Sequence, residues 1–231
     1  VAGSFSDVTF DLRAGEVVGV AGVEGSGREA LCRALYGAAE IASGEIEIDG
    51  RPARISECAQ AVAQGIGYVP SERRTEGIIG GLSVKKNISL ANLNAMQNGP
   101  FIDLAKEKAL ATEWVERLHV RTPSIDTQAG RLSGGNQQKV VLAKWLVNEK
   151  LKVLILDHPM RGLDVGAKAE IFALIGSLAN RGVGVVLIAD TLDELLALSD
   201  KILVMRDGRV SATYDLADAV PSQLQLIERM V

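Results

Sequence analysis

The sequence predicts an α/β fold, with a mostly parallel sheet covered by helices, an antiparallel β edge and an inserted helical subdomain. Apolar runs typical of buried strands alternate with segments of helical periodicity, and a glycine-rich loop joins the first such run to a helix. A helical block at roughly residues 80–130 interrupts this alternation. The 231 residues are enough for one large domain, which we place at residues 1–231.

Short strands dominate the first third of the chain. Alternating or continuous apolar residues predict strands at residues 8–12, 16–21, 46–50 and 65–70, the third as an antiparallel edge piece. Residues 28–37 carry apolar side chains at helical spacing and predict a helix that ends at Gly37. A strand, a glycine loop and a helix therefore follow one another near the start of the chain.

In the inserted block, Asp103 is placed to cap a helix whose apolar stripe contains Leu110, Trp114, Val115 and Leu118. The strand and helix alternation then returns. It comprises strands at residues 153–156, 183–188 and 202–205, a helix at 167–179 and a terminal helix within 217–231. Asp207 and Gly208 follow the last strand and predict a hairpin turn.

Composition excludes several classes of protein. The 29 acidic residues against 25 basic ones argue against a nucleic-acid binder, because phosphate contacts need a surplus of Lys and Arg. Two cysteines cannot form a disulfide framework, and no apolar run approaches the roughly 20 residues that span a bilayer. Without a basic, hydrophobic leader and with Val1 at its start, we expect a cytosolic domain excised from a longer protein.

The segment Gly22–Glu29 keeps the glycine spacing of a phosphate-binding loop, G-x-x-x-x-G-K-[ST]. In such a loop, backbone N–H groups and a helix N-terminus surround a phosphate. Here Arg28 replaces the lysine and Glu29 replaces the hydroxyl residue. A carboxylate about 4 Å from a phosphate charge is repelled by roughly 4 kcal/mol at the effective dielectric of a protein surface. A simple tight turn between strand and helix is the alternative interpretation.

A second motif, Leu132–Lys139, places a serine and two glycines ahead of an amphipathic helix. The serine hydroxyl and the free N–H groups of the first helical turn can bind an anion without a side-chain cation. An ordinary serine N-cap would have the same appearance. Its position, some twenty residues before the third motif, favours the anion site.

The third motif is an apolar run, Val153–Leu156, that ends at Asp157. It predicts a buried strand with a carboxylate at its C-terminal end, where α/β sheets bind ligands and where magnesium can be coordinated through water. Alternatively, Asp157 caps a turn or helix. Residues 161–164 follow as a loop.

In this order, the three motifs resemble the ATP-binding cassette family over nearly the whole chain. Finer similarity is carried by Leu132–Val140 (LSGGNQQKV), Arg161–Lys168 (RGLDVGAK) and Ser71–Asn87 (SERRTEGIIGGLSVKKN). These segments resemble the second cassette of bacterial monosaccharide importers of the ribose, galactose or xylose type. The resemblance implies a P-loop core, and it implies that the chain is the C-terminal part of a two-cassette protein.

The resemblance also implies cofactors and site residues. ATP and Mg are expected, chiefly at a composite site between two cassettes, and Phe5 is the one candidate for stacking on adenine. The implied nucleotide-binding residues are Gly22, Gly25, Ser26, Gly27, Arg28, Glu29, Ser133, Gly134, Gly135, Asn136, Asp157 and Asp164.

Several positions depart from the family pattern. His158 stands where the glutamate that polarises water is normal, Asp190 where the switch histidine is normal, and Ser71 where a glutamine is normal. Met160 replaces a usual threonine. The residues around His158 show no partner that would orient its ring, and a carboxylate at Asp190 should repel a γ-phosphate. We therefore expect little or no ATP hydrolysis by this domain alone.

The resemblance further implies partners. A first cassette would pack head to tail and use the signature Ser133–Asn136 of this chain, while Glu72, Arg73 and Arg74 would contact a membrane permease. A solvated charged loop is the alternative for these three residues. An extracytoplasmic sugar-binding protein acts indirectly, and the domain is expected to be peripheral on the inner face of the membrane.

Two other hypotheses stay open. The chain could be a working ATPase that tolerates Arg28 and uses His158 as its base. It could also be a regulatory module outside transport that is built on the same fold. The acidic balance and the importer-like segments argue against this last class.

Overall fold

The computed structural model describes residues 4–98 and 101–231. The central sheet has six strands in the order β10-β9-β1-β8-β7-β4. All neighbours are parallel except β9 and β10, which form the antiparallel edge. Its strands are β1 (Val17–Ala21), β4 (Ile66–Val69), β7 (Val153–Asp157), β8 (Gly184–Ile188), β9 (Lys201–Arg206) and β10 (Arg209–Asp215). The predicted fold class is confirmed.

Helices cover both faces of the sheet. They are α1 (Arg28–Leu35), α2 (Cys58–Ala63), α3 (Val84–Ser89), α4 (Leu104–Arg117), α5 (Gly134–Leu146), α6 (Val165–Asn180), α7 (Leu192–Leu198) and α8 (Gln223–Met230). The described part of the chain contains no helix that combines the length and the apolar character needed to cross a membrane.

Two apolar clusters follow from the strand period of two residues. In β8, Val185 and Leu187 belong to the larger cluster, which α5 and α6 cover, whereas Val186 and Ile188 belong to the cluster beneath α1. Near-continuous apolar strands are expected when both faces of a parallel sheet are buried. Gly19 in β1 is required by this packing, because an added Cβ would lie 2.8 Å from Leu195 of α7.

Two strand predictions need correction. Residues 8–12 alternate in burial as predicted, and Val8, Phe10 and Leu12 pack against the cluster beneath α1, but the segment forms no strand. Its packing is through side chains, without the backbone ladder that defines a strand. The predicted edge piece at 46–50 is β2 (Ile46–Ile48), which pairs with β3 (Arg51–Ala53) in a separate hairpin rather than at the edge of the main sheet.

The block at residues 80–130 is only partly helical. It contains α3, a 3₁₀ segment at Leu90–Met96, a hairpin of β5 (Gln97–Asn98) and β6 (Phe101–Ile102), and α4. The predicted cap is confirmed, because the Asp103 carboxylate accepts hydrogen bonds from the backbone N–H groups of Ala105 and Lys106, both at 3.0 Å. Trp114 is buried in the larger cluster, as its helical spacing predicted.

Candidate functional site

The C-terminal ends of four parallel strands meet at one edge of the sheet. Asp157 of β7 is paired in register with Ile188 of β8, and Leu156 with Val69 of β4. On the other side of β8, Gly19 of β1 is paired with Leu187. The sheet therefore brings together four sequence segments: the loop after β1, His158 after β7, Asp190 after β8 and Ser71 after β4. This is the edge at which open α/β sheets bind ligands.

The loop after β1 is a tight backbone turn into α1. Gly25 and Gly27 have φ values of 83° and 94°, in the left-handed region that glycine adopts without strain. The Ser26 N–H donates to the carbonyl of Val23 at 3.0 Å. Ser26 Oγ is buried without a hydrogen-bond partner among the described residues, and an added Cβ at Gly22 would lie 2.9 Å from the Met205 carbonyl. The backbone therefore has the form of an anion cradle at a helix N-terminus.

The side chains of the first turn of α1 neutralise each other. Arg28 Nε donates to Glu29 Oε1 at 2.7 Å. Burial opposes ionisation of Glu29, but the neighbouring His158 and the hydrogen bond from Arg28 outweigh it and lower the pKa of Glu29 to about 2. Glu29 is therefore a carboxylate at neutral pH. It accepts a hydrogen bond from Arg28, the residue that stands at the position of the phosphate-binding lysine.

Asp157 is buried at the end of β7, with 1 % of its surface exposed. Its Oδ2 accepts a hydrogen bond from the Tyr68 hydroxyl at 2.7 Å, whereas no described residue bonds to Oδ1. Burial is the main cause that raises the pKa of Asp157 above its usual range. Tyr68, which lies on β4, is a functional neighbour that sequence reasoning missed. Its place in the apolar strand gave no sign that its hydroxyl faces a carboxylate.

Asp190 orients the ring of His158, so the expectation that no residue does so was wrong. Its Nδ1 lies 2.9 Å from Asp190 Oδ1, while its Nε2 lies 3.9 Å from both Glu29 Oε1 and Asp157 Oδ1. The backbone of His158 has a φ of 50° and its N–H donates to the Ile188 carbonyl at 2.9 Å. The hydrogen bond with Asp190 and the proximity of Glu29 raise the pKa of His158 to about 9.

The sequence suggested that the charge of Asp190 would repel an anion. In the structure, His158 compensates that charge. Its hydrogen bond with His158 lowers the pKa of Asp190, so the pair is an imidazolium and a carboxylate at neutral pH. The resemblance implies a glutamate after the strand of Asp157 and a histidine after the next strand. Here a histidine and an aspartate stand at these positions, and the two side chains form a pair.

The residues of this edge do not fit a magnesium triphosphate. Three carboxylates (Glu29, Asp157 and Asp190) surround two cations (Arg28 and His158), and each cation already contacts a carboxylate. Across residues 4–98 and 101–231, no group of three His, Cys, Asp or Glu side chains has the arrangement of a metal site. The backbone cradle suits an anion, but the side chains around it do not.

A second helix N-terminus is open. Ser133 is exposed at the start of the 13-residue α5, and its Oγ accepts a hydrogen bond from Asn136 Nδ2 at 2.8 Å. No described acidic side chain forms an ion pair or a hydrogen bond with Ser133–Asn136. The N–H groups of Gly134 and Gly135 lie in the first turn, where helices leave donors without internal partners. This tip can donate to an anion supplied from outside the chain.

The segment that follows β4 contacts both the loop after β7 and the N-terminus of α5. Arg73 begins a π-helical turn at Arg73–Gly77, and its Nη1 donates to the carbonyl of Arg161 at 2.9 Å. An added Cβ at Gly134 would lie 2.6 Å from Arg73 Nη2, so Arg73 lies directly against α5. Glu72 and Arg74 are exposed. Of the three predicted permease-contact residues, Arg73 thus faces the body of the protein.

The remaining predicted residues are placed as follows. Ser71 is half-buried directly after Pro70, at the same edge as Asp157. Asp164 caps α6, because its Oδ1 accepts from the Ala167 N–H at 2.9 Å. Phe5 packs against the cluster beneath α1 and lies beside Gly27.

Comparison with known sequences identifies a family and several relatives. A family model described as "ABC transporter" matches residues 5–161. The "Ribose import ATP-binding protein RbsA 3" of Rubrobacter xylanophilus is 50 % identical over 209 residues, which are 90 % of this chain and 42 % of that protein. The RbsA protein of Bacillus subtilis is 41 % identical over 227 residues, covering 98 % of this chain and 46 % of that protein. The chain thus spans less than half the length of these curated relatives.

Solved structures share the fold. A dimeric ATP-binding cassette, MJ0796, in a post-hydrolysis state with ADP and Pi, superposes with a TM-score of 0.78 at 21 % identity, covering 92 % of this chain and 90 % of that one. A nucleotide-free cassette from an ABC transporter superposes with a TM-score of 0.80 at 20 % identity, covering 99 % and 92 %. At this level of identity, the likeness extends to architecture alone.

Proposed function

The chain belongs to the ABC transporter family, and from that membership we propose that it is the ATP-binding component of a sugar importer of the ribose type. The names of its relatives supply the substrate class. The protein would lie on the cytoplasmic face of the membrane, with membrane permease subunits and, through them, an extracytoplasmic sugar-binding protein as partners. ATP and Mg would be its cofactors, bound chiefly at a composite site between this chain and a partner cassette.

Within that role, we propose a division of labour between two cassettes. This chain would contribute little hydrolysis at its own phosphate loop, and its tip Ser133–Asn136 would complete the site of a first cassette on the same polypeptide. The observation that carries the proposal is the contrast in charge between the two tips. The paired groups Arg28–Glu29 and His158–Asp190 neutralise the surroundings of the α1 N-terminus, whereas Ser133 at the N-terminus of α5 is exposed and no described carboxylate is bonded to it.

ATP turnover tests the proposal. The isolated chain should hydrolyse Mg·ATP at background, and turnover should appear when it is joined to the first cassette of the same protein. A matched variant of that first cassette, with its phosphate-loop lysine replaced by alanine, should abolish the turnover of the pair. Turnover of order 1 s⁻¹ or more by the isolated chain would contradict the division of labour.

For the permease contact, we propose Glu72 and Arg74, the exposed members of the predicted set. The same segment, through Glu76 and Gly77, lines a cavity of about 170 Å³ together with Arg33, Tyr36 and Lys144. Arg73 would transmit movement of this segment to α5, because it contacts both the Arg161 carbonyl and the surface of Gly134.

One observation favours a second candidate, a working ATPase with His158 as base. Asp190 holds the ring through Nδ1 and directs Nε2 toward Glu29 beside the glycine loop, which is the geometry of an oriented base. The raised pKa of about 9 opposes this role at neutral pH, because the ring is already protonated. Turnover that rises toward pH 9 and is lost in His158→Ala would establish this candidate instead.

A further inference from the structure

One carboxylate oxygen of Glu29 lies close to both Arg28 and His158, the two cations beside the glycine loop. Glu29 Oε1 accepts from Arg28 Nε at 2.7 Å and lies 3.9 Å from His158 Nε2. The carboxylate is at the first turn of the eight-residue helix α1, directly after the glycine loop. A side-chain carboxylate therefore lies between two cations beside the glycine loop.

His158 is held in place by further contacts, and the Arg28 side chain is largely buried. His158 is fixed from behind by Asp190 at 2.9 Å, and its backbone bond to Ile188 fixes the base of the side chain. The Arg28 side chain is only 15 % exposed, so its guanidinium has little freedom to turn to another partner. Of the groups that meet here, Glu29, with a side chain 34 % exposed, is the one placed to leave.

We propose that Glu29 is an internal competitor for anions, which closes the phosphate cradle by bridging Arg28 and His158. This inference rests on the proposed assignment of the loop to nucleotide phosphates and extends it. A phosphate must displace the carboxylate, so the apparent dissociation constant is the intrinsic one divided by the fraction of molecules in which Glu29 has left. The low pKa of Glu29 keeps the competitor charged throughout the neutral range.

The test is equilibrium binding of ATP, with and without Mg, and of inorganic phosphate to the purified chain. Glu29→Gln retains the shape of the side chain and removes its charge. It should tighten ATP binding about tenfold or more, because both cations become available to the ligand. Glu40→Gln, on the exposed segment after α1, changes the net charge equally and should leave affinity within about twofold.

A double variant locates the effect. Glu29→Gln with His158→Asn should lose most of the gain, because the phosphate would then meet Arg28 alone. Unchanged affinity in Glu29→Gln, an equal gain in Glu40→Gln or a full gain in the double variant would each overturn the proposal. Glu29→Ser provides a second variant if the glutamine form is unstable.

The outcomes also separate this inference from the proposed function. If the wild-type chain binds Mg·ATP weakly and Glu29→Gln binds it equally weakly, only the role of Glu29 is wrong. If the wild-type chain binds Mg·ATP tightly and hydrolyses it, the division of labour is wrong.

Discussion

The N-termini of α1 and α5 present similar backbone donors but differ in the charge of the side chains around them. Each follows a glycine- or serine-containing turn, and each presents N–H donors to an anion. At α1, Glu29 and the histidine pair fill the surroundings with compensated charge, whereas at α5 the exposed Ser133 has only an amide neighbour. The backbone makes an anion site available, and the side chains around it decide whether the site is open.

The largest expected effect is at the open tip. Ser133→Asp places a carboxylate where the proposed partner's ATP would be bound, and should lower turnover of the assembled two-cassette protein roughly 100-fold or more. Ser222→Asp is the matched control, because Ser222 is an exposed N-cap of α8, where aspartate caps equally well. Equal turnover in the two variants would remove the functional contrast between the tips.

The pKa of His158 reports on the paired charges at the N-terminus of α1. Asp190→Asn removes the strongest cause of the raised value, so the pKa should fall from about 9 by at least about one unit. Glu29, Asp157 and Arg28 remain beside the ring and keep their contributions. NMR titration measures the change, and replacement of His119, the only other histidine, assigns the signals.

The same shift predicts how stability depends on pH. The folded state binds the His158 proton more tightly than the unfolded chain does, so this contribution is complete below about pH 6.5 and is lost toward pH 9. The free energy of unfolding should therefore fall between pH 6.5 and 8, by up to about 1.4 kcal/mol per pH unit. Burial lowers the pKa of Lys144 to about 8, which contributes with the opposite sign above that pH. A flat profile in the wild type would contradict the pairing.

The smallest expected effect is a difference in the free energy of unfolding between variants at the two sites. Tyr68→Phe leaves the buried Asp157 without its donor and should cost about 1–3 kcal/mol, or roughly 2–10 °C in the melting temperature. Asn136→Ala, at the half-buried open tip, should change the stability by about 0.5–1 kcal/mol at most. Calorimetry of both variants checks the difference, and a larger loss in Asn136→Ala would show that the open tip carries structural weight.

The sequence predicted five of the six strands of the main sheet, most helices and the edge where the motifs meet, because apolar period and glycine spacing are local signals. It did not predict that Tyr68 and Asp157, 89 positions apart, share a hydrogen bond, or that Asp190 orients His158. Those contacts depend on the order of strands in the sheet, which no local pattern encodes. The segment at 8–12 was assigned to a strand because alternating burial is the same whether or not a neighbouring backbone is present.

The interlocked contacts of Arg28, Glu29, His158 and Asp190 also bear on the history of such a domain. Replacing any one of them by the residue that the resemblance implies at that position would leave another charge without its partner. Under the proposed division of labour, a return to activity would therefore require several substitutions, and each one made alone would leave a charge without compensation.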